Sequence, residues 1–138
     1  MLIGSAVHNL DAKGRIVIPS KYRDDLGSTI FAFKAMDGCI RIYPRDEFMR
    51  VLEKLRAGDV NQIMLRRKIS GSAEQLSIDA QGRILLPELL RNKAGISDKV
   101  RMVGMIDWIE LWNDDGYDEA ENLSYEDEVR SMAELGLA

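Results

Sequence analysis

Apolar and polar positions alternate along this chain in short bursts, and the bursts come in two similar sets. The first set runs from Ala6 to Leu10 and reaches Asp11-Ala12-Lys13-Gly14. There an Asp side chain can accept from nearby backbone N–H groups and a Gly can take positive φ, so a tight turn is expected. A strand then starts at Arg15 and ends at Pro19, whose missing N–H suits the first turn of a helix, and the short helix that follows stops near Gly27. Two β-rich stretches, Thr29 to Ala35 and Cys39 to Tyr43, close the set. The second set repeats the order: Gln75 to Ile78, the turn Asp79-Ala80-Gln81-Gly82, a strand from Arg83 to Pro87, and a helical turn stopping near Gly95. Val100 to Met105 and Trp108 to Trp112 complete it. Each copy is predicted to be a β-hairpin, a helical turn and a second hairpin.

The likeness is one of residues as well as pattern. Residues 11–23 match residues 79–91 at seven of 13 positions, and Val17/Leu85 and Ile18/Leu86 keep their apolar character. The chain divides into a first repeat over 5–47, a helical insert over 48–74, a second repeat over 75–118 and an acidic tail over 119–138. A unit of about 45 residues with one apolar sheet face cannot bury that face alone. The two copies must therefore pack together or interleave their strands into one closed β structure, the second being favoured, and the expected fold is α+β.

In the insert, Phe48, Val51, Leu52 and Leu55 fall at i, i+3, i+4 and i+7, an apolar helical stripe preceded by Asp46 and Glu47, where a helix dipole favours anions. That stripe serves either the intrachain core or contacts between copies of the chain. A second helix is predicted to start at Asp59 as N-cap, carry Ile63 and Met64, and end in the cations Arg66-Arg67-Lys68. The tail after Asn113 reads as helical too, with a capping-box-like start at Ser124-Tyr125-Glu126-Asp127.

Composition narrows the class. The 138 residues are 46% apolar and 30% charged, and a domain of this size buries roughly 68–70% of its unfolded surface without help from metals or disulfides. Cys39 is the single cysteine, so no internal bridge can form. The longest apolar runs fall far short of the ~20 residues a bilayer span needs, and the N-terminus has no basic, apolar leader pattern. A soluble, cytoplasmic protein is expected, with no membrane partner. The net charge of −4 is unevenly spread. Residues 1–105 carry 18 Lys/Arg against 12 Asp/Glu, whereas residues 106–138 carry Arg130 alone against 11 acids. A basic body is followed by an acidic tail.

Little supports catalysis. His8 is the only histidine and lacks a Cys or Asp partner pattern, Cys39 opens an apolar strand, and no phosphate-cradling glycine loop, paired-His helix or EF-hand loop occurs. No catalytic residue, metal or cofactor is expected. What stands out is Asp-Ala-x-Gly-Arg, present twice, and two readings fit it. Asp11 with Arg15, and Asp79 with Arg83, can pair across the turn and simply lock it. Alternatively the turn, with Asp11, Gly14, Asp79 and Gly82 shaping it, projects one arginine from a rigid tip, where a five-donor fork reaches base edges and phosphates. Lys13, Lys21 and Arg23 would widen the first patch, and Arg91 and Lys93 the second.

The doubled motif, Asp11-Ala12-Lys13-Gly14-Arg15…Pro19…Tyr22-Arg23 and Asp79-Ala80-Gln81-Gly82-Arg83…Pro87…Leu90-Arg91, resembles the MraZ family, as do Ile42-Tyr43-Pro44…Glu47-Phe48 and Glu110-Leu111-Trp112. The likeness extends from residue 1 to about residue 120. The resemblance implies tandem AbrB-like domains in a swapped-hairpin β-barrel with inserted and C-terminal helices. It also implies a nucleoid-associated transcription regulator that binds double-stranded DNA at short direct repeats upstream of the division and cell-wall gene cluster, its own gene included. Ring-like homo-oligomers are implied, and Arg15 and Arg83 carry over as residues facing DNA. The rival reading is an interaction module like the antidotes of toxin–antitoxin pairs, using the acidic tail to occupy a basic partner.

Overall fold

The computed structural model describes residues 1–137. Its strands are β1 (Ser5–Asn9), β2 (Arg15–Val17), β3 (Thr29–Lys34), β4 (Ile40–Pro44), β5 (Glu74–Ser77), β6 (Arg83–Leu85), β7 (Lys99–Gly104) and β8 (Ile109–Asn113). The helices are α1 (Ser20–Leu26), α2 (Arg45–Ala57), α3 (Ile63–Ser72), α4 (Glu88–Lys93), α5 (Asp114–Glu121) and α6 (Tyr125–Glu134). The fold is α+β, built on an antiparallel sheet in the order β1-β7-β8-β4-β3-β5, with β2 and β6 forming a separate two-stranded ribbon.

That order corrects the expectation of two hairpins per copy. The second hairpins, β3–β4 and β7–β8, are present. The first are not: β1 leaves its own copy to pair with β7, β5 pairs with β3, and β2 pairs with β6. The turn at Asp11–Gly14 sends the chain from one sheet into another layer, so the strands on either side find partners in the opposite copy. The sheet itself ends in β1 and β5, an open order rather than a closed one. β4 pairs with β8 at its centre, so the two copies meet about a local two-fold axis.

The inner face of the sheet supplies Ile30, Ile40, Ile42, Val100, Met102, Ile109 and Leu111 to the core. Ile16, Ile18, Ile84 and Leu86 from the ribbon segments and Tyr22, Leu26 and Leu90 from the two short helices close over it. The outer side of β3 and β4 is covered by α2, where Phe33, Tyr43 and Phe48 form a second cluster with Val51 and Leu52 packed against it. Phe48, Val51 and Leu52 of the insert's apolar stripe therefore serve the intrachain core. α3 runs past its basic residues to Ser72, with Ser70 and Ser72 hydroxyls bonded back to the carbonyls of Arg66 and Lys68. Ile63 and Met64 are exposed on it, and Asp59 caps a short 3-10 turn, Val60–Gln62, ahead of the helix. Ser124 caps α6 by accepting from the Asp127 amide.

Candidate nucleic-acid interface

Both Asp-Ala-x-Gly-Arg turns are built alike. Asp11 Oδ1 accepts from the amides of Lys13 (2.9 Å) and Arg15 (2.8 Å), and Asp79 Oδ1 from those of Gln81 (2.9 Å) and Arg83 (2.8 Å). The other carboxylate oxygen takes the arginine Nε, at 2.8 Å in Asp11–Arg15 and 3.0 Å in Asp79–Arg83. Gly14 and Gly82 stand at φ +84° and +78°, the left-handed conformation that a Cβ opposes. The locking reading of the turn is present in both copies, and the clamp is compatible with the arginine also serving an outside partner. Asp11 holds Arg15 through Nε, and no hydrogen bond to the Arg15 terminal nitrogens occurs among the described residues. Arg83 commits Nη2 to Gln81 Oε1 at 2.7 Å, so the second tip offers less.

Amides donating to Asp11 and Asp79 hold both carboxyls below the ordinary carboxylate range, the Arg15 and Arg83 amides foremost, with the paired arginine side chains adding to it. A depressed folded pKa gives stability that is fully present above the unfolded value of ~3.9 and is lost as pH falls through the folded value. A carbon-detected NMR titration should give side-chain carboxyl midpoints for Asp11 and Asp79 below that of a model peptide. A midpoint at or above it would mean that the clamp does not form in solution.

The ribbon aims the tips. Its register sets Arg15 opposite Leu85 and Val17 opposite Arg83, so these four side chains share one face, and Ile16 opposite Ile84 on the other. The Ile face is buried at 1% exposure, whereas Val17 and Leu85 are 45% and 57% exposed. The outer face of the ribbon thus presents two arginines flanking two uncovered aliphatic side chains. Sequence reasoning missed Val17 and Leu85, although the period-2 pattern of Arg15-Ile16-Val17-Ile18 carries the signal.

The copies brace each other at this point. Gly82 O accepts from Ile18 N at 2.7 Å and Gly14 O from Leu86 N at 2.9 Å. Arg23 Nε donates to Ile18 O (2.8 Å), and its guanidinium lies against Gly82 of the other copy. Arg91 Nε donates to Leu86 O (3.0 Å) and lies against Gly14, where an added Cβ would stand 3.0 Å from Arg91 Cζ. Strand exchange therefore swaps these two arginines. The first tip collects Lys13, Arg15 and Arg91, and the second collects Arg83 and Arg23. Lys21 stands apart, beside Gly4 and over the Tyr22 ring at the far end of β1. Lys93 lies beside Lys34, Arg67 and Lys68.

Among the described residues one group offers metal-type donors, Asp37, Cys39 and Glu110. Glu110 accepts from the indoles of Trp108 (3.1 Å) and Trp112 (3.0 Å) and pairs with Arg41. Burial pushes the Cys39 thiol up, so it stays protonated at neutral pH. Both groups are committed to the protein interior. No helix among the described residues is long and apolar enough to cross a membrane.

Comparison with known proteins agrees with the doubled architecture. The family model described as "MraZ protein", which its description likens to an antitoxin, matches twice, over residues 1–67 and 69–134. α2 falls inside the first matched range and α5 and α6 inside the second, whereas α3 spans the boundary between them. "Transcriptional regulator MraZ" of Lachnoclostridium phytofermentans is 37% identical, with all of this chain and 99% of that protein covered. The proteins of the same name from Syntrophomonas wolfei and Clostridium tetani are 39% and 36% identical, each covering 99% of this chain and the whole of the relative. With the motif doubled, the turns built alike and the likeness running end to end, this chain belongs to the MraZ family.

Proposed function

We propose that this protein is a transcription regulator, not an enzyme, and that it binds double-stranded DNA through the outer face of the β2–β6 ribbon. The observation that carries the reading is the pair of Asp-clamped arginines on one solvent-facing ribbon. A two-stranded ribbon fits the major groove, where a guanidinium reads guanine and aliphatic side chains meet thymine methyls. Arg15 and Arg83 are the base-reading residues. Lys13, Arg23 and Arg91 contact phosphates beside them, and Lys21 and Lys93 contact phosphates farther out. The strand exchange between copies supports the reading of tandem AbrB-like units in a swapped-hairpin barrel.

The target sites in this reading are short direct repeats upstream of the division and cell-wall gene cluster, this protein's own gene included. It acts in the cytoplasm, associated with the nucleoid. Function requires a homo-oligomer, ring-like in form. The chain is net negative, each tip is small, and one protomer alone binds poorly, whereas linked tips raise avidity by roughly 10²–10⁴ when their spacing fits the repeats.

Footprinting on the protein's own upstream region, with titration of one-repeat and multi-repeat duplexes at two salt concentrations, tests this. Multi-repeat duplexes should bind far more tightly, and affinity should fall steeply with salt. Each phosphate contact contributes roughly −0.9 to the slope of log K against log salt, so Lys13→Ala should flatten the slope by about that amount and weaken all sequences alike. A slope unchanged by Lys13→Ala removes that lysine from the interface, and no binding to duplex removes the reading.

A further inference from the structure

Among the described residues an apolar groove and an apolar helix face stand uncovered with opposite charges. The groove lies between β3 and α3, has a volume of about 480 Å³, and is floored by Phe33, Tyr43, Val51, Leu65 and Ile69. Lys34 and Lys68 stand on it, and both also line the adjoining hollow with Arg67 and Lys93. α3 itself contains three cations, Arg66, Arg67 and Lys68, and no acid.

α6 is the counterpart. Tyr125, Val129 and Met132 fall at i, i+4 and i+7, and Leu135 follows. None of them joins a core cluster among the described residues, and Tyr125 and Leu135 are 77% and 73% exposed. The helix carries Glu126, Asp127, Glu128 and Glu134 against Arg130 alone, and Arg130 is paired with Asp127 and Glu134. A helix of this length is about 15 Å long, the scale of a groove of this kind. α3 packs on the sheet of the first copy, whereas α6, which follows α5 at the end of the second, keeps Tyr125, Val129, Met132 and Leu135 exposed.

We propose that α6 of one chain seats its Val129–Met132 face in the α3–β3 groove of a second copy, with Glu126 and Glu128 meeting Lys68 and its neighbours. Each chain has one arm and one groove, so the contact is head-to-tail and closes into a ring when the rotation permits. This rests on the oligomer reading above and supplies its contact. It also assigns the acidic tail: the helix covers a basic groove of its own kind of molecule.

The full-length protein without DNA provides the test, by sedimentation over a concentration series. Val129→Asp with Met132→Asp, and separately Leu65→Asp, should each weaken self-association roughly tenfold or more, a change of about 1.4 kcal/mol. Below the concentration at which the wild type assembles, the variants should melt with the wild-type protomer, because all three positions are exposed in the single chain, whereas above it they should lose the stabilisation that assembly confers. Lys68→Glu should weaken association, and adding Glu128→Lys to the same chain should restore it, which a merely structural role would not produce. Leu65→Cys in one chain and Met132→Cys in another should cross-link on mixing. Wild-type assembly unaffected by these changes overturns the α6 contact alone, and so does a cross-link that forms within a single chain carrying both cysteines. A monomeric wild type overturns the oligomer reading as well, and an intact oligomer that ignores duplex overturns only DNA binding.

Discussion

Arg15→Ala weakens binding to the native site by about 1–3 kcal/mol, roughly fivefold to 150-fold, and relaxes preference at one base position. The fold loses little by comparison. The Asp11–Arg15 pair is about one-third exposed on each side, and solvent screens such a pair so that it contributes little to stability. Arg15→Lys should not restore binding, because a point charge on a flexible stem reproduces neither the Nε clamp nor the terminal fork. Arg83→Ala should cost less, since part of its guanidinium is already held by Gln81. Competition titrations at two salt concentrations, run beside thermal melts, separate the two quantities. Unchanged affinity in Arg15→Ala at both concentrations would make the turn a lock and nothing more.

Gly82→Ala is the more damaging change to the fold. At either tip an alanine is forced into the left-handed region, at about 1–2 kcal/mol. At Gly82 the new methyl also runs into the Arg23 guanidinium, which is anchored on Ile18 O and cannot swing away without releasing that carbonyl. Overpacking of this sort adds typically 1–3 kcal/mol, so Gly82→Ala should lose about 2–5 kcal/mol and Gly14→Ala about 1–2 kcal/mol. In an Arg23→Ala background the extra loss at Gly82 should vanish, leaving the backbone strain. Denaturant melts of the four proteins form the cycle. Equal losses at Gly82 with and without Arg23 would show that the two copies are not braced there.

The elements that a local pattern specifies were legible in the sequence: both turns, the short helices after Pro19 and Pro87, the β3–β4 and β7–β8 hairpins, and α2 with its buried Phe48. Partner choice was not. Alternation shows which face of a strand is buried but says nothing of which strand lies beside it, and β1 satisfies β7 as well as it would β2. From that one ambiguity came the misgrouped cations, because exchange carries Arg91 to Gly14 and Arg23 to Gly82, while Lys21 and Lys93 fall outside both tips. α3 outran its basic residues because a cationic last turn is only a preference. Arg15 and Arg83 were visible from spacing. Val17 and Leu85 needed the ribbon register before their exposure had meaning.

The exchanged strands also set the order of events when the chain is made. Ser5 pairs with Val103, so β1 has no partner until the second copy has left the ribosome. At a synthesis rate of about 5–20 residues per second, that strand waits on the order of 5–20 s with an open edge. Contacts so distant in sequence close slowly. Expressed separately, each half would carry unpaired edges prone to joining other chains, and soluble material should appear only when the two are made together. A chain of two like copies is in this respect a single folding unit.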